Sequence, residues 1–168
     1  AVCQEVSIPV IGAGGIADGR GMLAAFALGA EAVQCGTRFL TIDECTVADA
    51  YKEKILGAKD SDTCVTGRGT GHPVRCLKNR FARQVRKLEA TPSAGDELEH
   101  MYVGSLRRAV SGDVEEGSIM AGQVAGLVSE RLTARAVITS MLAEAEALAA
   151  TPLAGLAELN AHRGRLLQ

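Results

Sequence analysis

The stretch "IPVIGAGGIADGRG", residues 8–21, decides the fold class of this chain. Its first residues, Ile8 to Gly12, form a short apolar run without alternation, which is typical of a strand buried on both faces. Gly14 and Gly15 follow at once and break the run, since glycine clusters mark tight turns. The stretch therefore predicts a buried strand that ends in a glycine turn.

A helix and a second strand are predicted after this turn. The segment "GRGMLAAFALGA" is an Ala-rich helix that Gly29 ends, and Met22, Leu23 and Phe26 are expected to pack inward. The next segment, "EAVQCGTRFL", gives a second buried strand through Ala32, Val33 and Cys35. Strand, helix and strand in this order indicate a βαβ unit with a parallel sheet.

The turns that follow the two strands are candidates for an anion site. Ligands of parallel sheets bind at the carboxyl ends of the strands, and in (β/α)8 barrels two adjacent turns often share one phosphate. Glycine in "GAGGIADG" and "QCGTRF" leaves out the Cβ that would keep phosphate oxygens away from main-chain N–H groups. Thr37 can add a hydroxyl donor and Gln34 an amide donor.

Two other interpretations of the glycines stay open from the residues alone. One is a tight strand-to-helix turn that holds no ligand. The other is a dinucleotide site, which fits less well because "GAGGIADG" is not G-x-G-x-x-G in the usual register and no acidic strand end follows about 20 residues later.

The remainder of the chain is predicted to be helical. Thr46 and Asp49 resemble a capping box at the start of a helix that places Tyr51 and Ile55 on one face and ends at Gly57. A polar loop, "DSDTCVTGRGTGH", then leads to the next helix, which Pro73 begins. Apolar residues at spacings of three and four define its buried stripe: Val74, Leu77, Phe81, Val85 and Leu88. Three further helices are expected at about 97–111, 118–130 and 133–150.

These patterns divide the chain into two regions. Residues 1–60 hold βα units with the phosphate-binding turns, and residues 61–168 form a helical region. Two parallel strands do not bury both faces of a sheet by themselves, since stable sheets usually have three or more strands. We therefore expect the sequence to be the C-terminal part of a longer chain.

Composition narrows the range of functions. With 47% apolar and 23% charged residues among 168, the chain can build a globular core, and a net charge of −2 gives no overall basic excess for nucleic acid. No apolar run is long enough for a membrane span and no signal peptide is visible, which predicts a cytoplasmic protein. The five cysteines lack C-x-x-C spacing, so reduced thiols and no metal site are expected.

Four segments together resemble one enzyme family. They are "IPVIGAGGIADGRG", "GAEAVQCGTRFL", "AYKEKILGAKDSDTCVTGRGTGHPVRCLKN" and "GDVEEGSIMAGQVAGLV". The sequence is similar to flavin-dependent enoyl-acyl-carrier-protein reductase II (FabK-type) and to its relative, nitronate monooxygenase. The resemblance covers most of residues 8–130, and its third and fourth segments are the specific ones, because other phosphate-binding barrels carry turns like the first two.

The resemblance implies an FMN-binding (β/α)8 barrel, a TIM barrel, of which this chain holds the last two strands followed by a helical C-terminal region. It also implies a set of FMN phosphate ligands, which act mainly through main-chain N–H groups. These are Gly14, Gly15, Gln34, Cys35, Gly36 and Thr37. The family's catalytic histidine belongs to the first half of the barrel, so no catalytic residue is assigned here, and the 168 residues alone are expected to be inactive.

The reaction that the resemblance implies is reduction of a trans-2-enoyl thioester in fatty acid synthesis, with NADH or NADPH as the reductant of FMN. Nitronate monooxygenase, the alternative, oxidises alkyl nitronates with FMN and O₂. A second alternative is a phosphate-binding module without catalysis. The third segment favours the reductase.

The helix predicted after Pro73 has a basic face. It carries Arg75, Lys78, Arg80, Arg83, Arg86 and Lys87. An acyl carrier protein is acidic, so the surface around Arg80 and Arg83 is a candidate docking face, although a solvated helix face explains the same charges. A homodimer is compatible with the sequence. His72, Met101 and Met120 are weaker candidates for the cofactor side and the acyl pocket, with capping and core packing as their alternatives.

Overall fold

The computed structural model describes residues 1–91 and 95–150, so residues 92–94 and 151–168 of the region predicted as helical, 61–168, lie outside the described residues. The first half of the chain runs through α1 (Val2–Glu5), β1 (Ile11–Ala13), α2 (Gly19–Ala27), β2 (Ala32–Gln34), α3 (Thr37–Leu40) and α4 (Asp49–Leu56). The second half runs through β3 (Thr63–Thr66), β4 (Val74–Leu77), α5 (Arg80–Glu89), α6 (Gly95–Tyr102), α7 (Ser105–Val110), a 3₁₀ helix (Gln123–Leu127) and α8 (Ala134–Ala150).

The βαβ unit predicted from the opening stretch is confirmed. β1 and β2 pair in parallel, with Ile11 opposite Ala32 and Ala13 opposite Gln34, and α2 connects them. Asp18 begins α2 as its N-cap, since its carboxylate accepts the N–H of Gly21 at 2.8 Å. The first strand starts later than predicted, at Ile11 rather than Ile8, whereas the second starts at Ala32 as predicted.

The prediction that the first strand is buried on both faces is wrong for the described residues. Ile11 is 60% exposed and Ile8 is 69% exposed, because only β2 pairs with β1 among the described strands. In α2, Met22 is buried as expected and Leu23 is half-buried, but Phe26 is exposed. One side of the βαβ unit is therefore covered and the other is open.

A hairpin replaces the start of the predicted helix after Pro73. β3 and β4 pair antiparallel, with Cys64 opposite Cys76, so Val74 to Leu77 are extended and the helix begins only at Arg80. Gly67, at φ +83°, turns the chain so tightly that a Cβ there would meet the His72 carbonyl oxygen. The four residues "VRCL" fit the apolar pattern of a helix or of a strand, and pairing with the β-branched residues of β3 stabilises the strand.

Two other helix predictions also fail. Residues 97–111 form two helices, α6 and α7, which Gly104 separates at φ +70°. Residues 118–130 form an extended segment and then the 3₁₀ helix. Met120 forms an isolated antiparallel β-bridge with Cys76 of β4, and the N–H of Leu77 donates to the carbonyl of Ile119 at 2.9 Å. Small residues there let neighbouring backbone segments approach closely, since a Cβ at Gly126 would collide with Asp60.

The α4 helix matches its prediction apart from its start. Ala48 is the N-cap, without a side-chain hydrogen bond, so Thr46 does not begin the helix. Tyr51 and Ile55 are buried on one face and Gly57 is the C-cap, as predicted. Their face packs on the residues that follow α7 and on the 3₁₀ helix, including Ile119, Val124 and Ala125. This core holds α4 against the segment that contains Met120.

A second core joins α2 to α8. Ile16 and Met22 pack with Val137, Met141 and Ala145. None of the described helices is long and apolar enough to cross a membrane.

Candidate active site: a glycine cradle at the ends of two parallel strands

The parallel register brings the two predicted glycine turns to one edge of the sheet. Ala13 and Gln34 are opposite each other as the last residues of β1 and β2. Gly14 and Gly15 continue from the first strand, and Cys35 to Thr37 continue from the second. The structure thus places the six predicted ligands on two neighbouring turns, which we call the glycine cradle: Gly14, Gly15, Gln34, Cys35, Gly36 and Thr37.

The backbone of the cradle requires glycine at two successive positions. Gly14 has φ +93° and Gly15 has φ +74°, values that L residues with side chains rarely adopt. A Cβ built at Gly14, Gly15 or Gly36 would meet no other atom within 4 Å. The main chain at these positions therefore borders open space, which fits a phosphate group that approaches main-chain N–H groups.

The three side chains of the cradle have different environments. Thr37 is buried, and its Oγ1 accepts the N–H of Gly122 at 2.9 Å, a bond that does not use the hydroxyl hydrogen as a donor. Gln34 is exposed. Burial raises the pKa of the Cys35 thiol, so the thiol stays protonated at neutral pH and a main-chain role suits this residue.

The segment after α7 borders the cradle, and the cavity between them is lined by residues that the sequence patterns did not predict. A cavity of about 320 Å³ is lined by Gly36, Thr37, Leu40, Arg75, Met120, Ala121 and Gly122. Arg75, which was predicted on a helix face, projects from β4, and its Nη1 donates to Thr63 Oγ1 at 2.9 Å. A guanidinium on the wall of this cavity favours an anionic ligand.

Three comparisons connect this geometry to known proteins. The family model described as nitronate monooxygenase matches residues 1–144. A solved structure of FabK from Thermotoga maritima is 52% identical, with a TM-score of 0.83 over 88% of this chain and 47% of that chain. A probable nitronate monooxygenase of Staphylococcus saprophyticus is 36% identical over 84% of this chain and 40% of its own length.

The chain belongs to the nitronate monooxygenase family. A solved nitroalkane oxidase from Streptomyces ansochromogenes agrees with this, at 32% identity and a TM-score of 0.70 over 86% of this chain and 41% of that chain. The fold predicted from the sequence is confirmed, since these relatives are TIM-barrel enzymes. Members of the family are FMN-dependent oxidoreductases. This family member spans less than half the length of the relatives it matches.

A larger cavity adjoins the cradle in this nitronate monooxygenase family member. It measures about 510 Å³, and Met120 lines both cavities. His72, Val74 and Tyr102 also line it, together with Arg107 and other residues of α6 and α7. Met120, a predicted acyl-pocket residue, therefore lies between the two cavities, whereas His72, a predicted candidate for the cofactor side, lines only the larger one. Met101 instead packs beside Phe81, Val85 and Leu98.

The predicted basic face is only partly helical. Arg75 and Lys78 precede α5, whereas Arg80, Arg83, Arg86 and Lys87 lie on it. Arg80 pairs with Glu116 at 3.1 Å, and Arg83 is exposed.

Proposed function

We propose that this chain supplies the phosphate-binding part of an FMN-dependent enoyl-acyl-carrier-protein reductase. The observation that carries the proposal is the 52% identity to FabK over 88% of the chain, which exceeds the 36% and 32% identities to the nitronate and nitroalkane enzymes. The glycine cradle supports it, because its open backbone suits the phosphate of a flavin mononucleotide.

In that reaction, the residues of this chain bind and orient the phosphate of FMN. Gly14, Gly15 and Gly36 offer main-chain N–H groups to the phosphate, and Thr37 offers its hydroxyl hydrogen. Gly122 holds Thr37 in place through the 2.9 Å hydrogen bond to Oγ1. When bound, FMN supplies hydride transfer from NADH or NADPH to the enoyl thioester.

The larger cavity is the proposed place for the acyl chain. Val74 and Met120 give it apolar walls, and a volume of about 510 Å³ is in the usual range for small-molecule pockets. Methionine adapts to chains of different length because its side chain is unbranched and flexible.

The proposal includes an acidic carrier protein as partner. The exposed face of α5, with Arg80 and Arg83, is the proposed docking surface, and the attraction falls with salt. Carrier-protein affinity that is unchanged at low salt in the Arg80→Glu, Arg83→Glu double variant would contradict this part.

Nitronate oxidation is the second candidate function. The family model and the Staphylococcus saprophyticus relative favour it, since both carry the nitronate monooxygenase name.

One comparison of activities distinguishes the two reactions in the full-length, FMN-loaded protein. We expect crotonyl thioester to accelerate anaerobic oxidation of NADH or NADPH, with little O₂ uptake on an alkyl nitronate. Rapid nitronate-dependent O₂ uptake without thioester-dependent oxidation would assign the protein to the second candidate. The 168 residues alone are expected to show neither activity.

A further inference from the structure

A third pocket, separate from the two cavities at the candidate active site, is lined by positively charged side chains. It measures about 440 Å³ and lies between the β3–β4 hairpin and α5. Its charged residues are Arg68, Lys78, Arg86 and Glu89, and residues of β3 form the rest of its wall. Three cations and one carboxylate leave an excess of two positive charges at one concavity.

The carboxylate in this pocket is already engaged in shaping the loop. Glu89 Oε1 accepts the N–H of Gly69 at 3.2 Å, and Gly69 is the residue next to Arg68. This contact ties the loop that carries Arg68 to the last turn of α5, where Arg86 lies. Both arginines line the same pocket, one from the loop and one from the helix.

Within the part of the chain that the structure describes, ion pairs do not balance the positive charge of this pocket. Arg68 and Arg86 form no ion pair among the described residues. Lys78 Nζ donates to the carbonyl of Ser61 at 2.5 Å, a neutral acceptor that leaves its charge and other hydrogens available. Elsewhere in the described chain, Arg80, Lys54 and Arg131 pair with carboxylates at 2.7–3.1 Å.

We propose that this pocket binds the phosphate group of a cosubstrate, with Arg68 and Arg86 as its ligands and Lys78 as a supporting charge. Guanidinium groups bind phosphate through paired N–H donors, and two of them around one concavity give both charge and orientation. The volume is larger than an inorganic ion requires and fits a phosphate with part of its organic carrier.

Two carriers have this chemistry, and both are drawn from the proposed function, on which this part of the inference rests. One is the 2′-phosphate of NADPH, and the other is the phosphate of a phosphopantetheine arm. The glycine cradle is a different place, because none of its residues lines this pocket. The residues named for this site all belong to the described chain. Ligand binding to them can be measured without turnover.

Two matched ligand pairs test the site by calorimetry on the full-length protein. NADP⁺ against NAD⁺ reports on a 2′-phosphate, and 4′-phosphopantetheine against pantetheine reports on the arm. We expect at least one phosphate-bearing member to bind at least about tenfold more tightly than its partner, as one or two charge-assisted hydrogen bonds would give. The pair that discriminates identifies the carrier.

Substitutions in the pocket show which residues produce the preference for the phosphate-bearing ligand. Arg68→Gln and Arg86→Gln should each reduce it at least about fivefold, a loss consistent with one charge-assisted hydrogen bond. Arg135→Gln, which removes an equal charge from α8, should leave it unchanged. The proposal is overturned if neither ligand pair discriminates, or if the preference survives in both pocket variants. A protein that binds in this way but does not reduce enoyl thioesters would contradict the proposed function alone.

Discussion

Gly14 and Gly15 show which parts of the site a sequence can reveal at the scale of single residues. Their positions follow from local rules, because a strand that ends in successive glycines signals a turn with positive φ. Arg75 could not be placed in this way. It reaches the cradle cavity only because β4 pairs with β3 and with the Met120 segment, and these contacts join residues far apart in the chain.

The cost of a side chain at Gly14 tests the strained turn. Alanine at φ +93° meets no neighbour, so the penalty is conformational, and we expect Gly14→Ala to lower the free energy of unfolding by about 1–2 kcal/mol. Gly36, at φ −96° and equally free of contacts, is the matched control, with a change for Gly36→Ala within about 0.5 kcal/mol. Urea denaturation of both variants checks this, and equal losses would be evidence against the account.

Tyr51 makes a pH-dependent contribution to stability. Its hydroxyl donates to the Met120 carbonyl at 2.7 Å, and burial raises the pKa of Tyr51 to about 12 from an ordinary value of 10. Because the folded state holds this proton more tightly, the stabilisation is complete below about pH 10 and is lost as the pH rises towards 12. The loss should be roughly 2–3 kcal/mol, at 1.36 kcal/mol per pKa unit.

A comparison with Tyr51→Phe isolates this contribution from the other groups that titrate at alkaline pH. The free energy of unfolding should fall more steeply between pH 10 and 12 in the wild type than in the variant. Parallel curves would show that Tyr51 does not titrate in this way.

At the scale of elements, the sequence predicts helices whose apolar pattern is local. It fails where pairing between strands determines the secondary structure. The α4 helix and the apolar stripe of α5, with Phe81 and Val85 buried and Leu88 half-buried, follow from spacing alone. Val74 to Leu77 were assigned to the same helix because a four-residue apolar pattern fits either period. The partner strand β3, which lies in a segment predicted as a polar loop, supplies the hydrogen bonds that make Val74 to Leu77 extended.

Asn79 joins α5 to the segment after α7. Its Oδ1 accepts the N–H of Ala82 at 2.8 Å as an N-cap, and its Nδ2 donates to the carbonyls of Val114 and Gly117 at 2.7 Å each. Asn79→Ala loses the cap and leaves two carbonyls without their donor, at a cost of about 3 kcal/mol or more. Asn79→Ser can still cap and should recover about 1 kcal/mol. Thermal or urea unfolding of the two variants checks this order, and equal stability of both would contradict it.

Two glycines of α2 give opposite expectations for the packing of α2 on α8. A Cβ at Gly19 would lie 2.6 Å from the backbone of α8 at Met141 and Ala145, so Gly19→Ala should cost about 1–3 kcal/mol. A Cβ at Gly21 would have its nearest neighbour at 3.4 Å, and Gly21→Ala should be neutral or stabilising by up to about 1 kcal/mol because alanine favours helix. Unfolding free energies in urea measure both, and a harmless Gly19→Ala would show that the helices do not pack this closely.

At the scale of the whole molecule, the βαβ unit and the barrel family follow from four sequence segments, whereas the cavities do not. Each cavity combines residues that are far apart in the chain, such as Thr37 with Gly122 and His72 with Met120. The apolar run predicts a strand buried on both faces, but Ile11 is exposed because such a run does not show what covers it, and this open side agrees with the expectation that two parallel strands do not bury a sheet by themselves.

The central claim is that the glycine cradle holds the phosphate of FMN. The most direct measurement is the ratio of FMN affinity to riboflavin affinity in the full-length apoprotein, since the two ligands differ only in that phosphate. Several hydrogen bonds to one phosphate predict a ratio on the order of 100 in the wild type. The ratio should fall close to one in Gly36→Val, whose side chain enters the open space of the cradle. Equal affinity for the two flavins in the wild type, or an unchanged ratio in Gly36→Val, would contradict the claim.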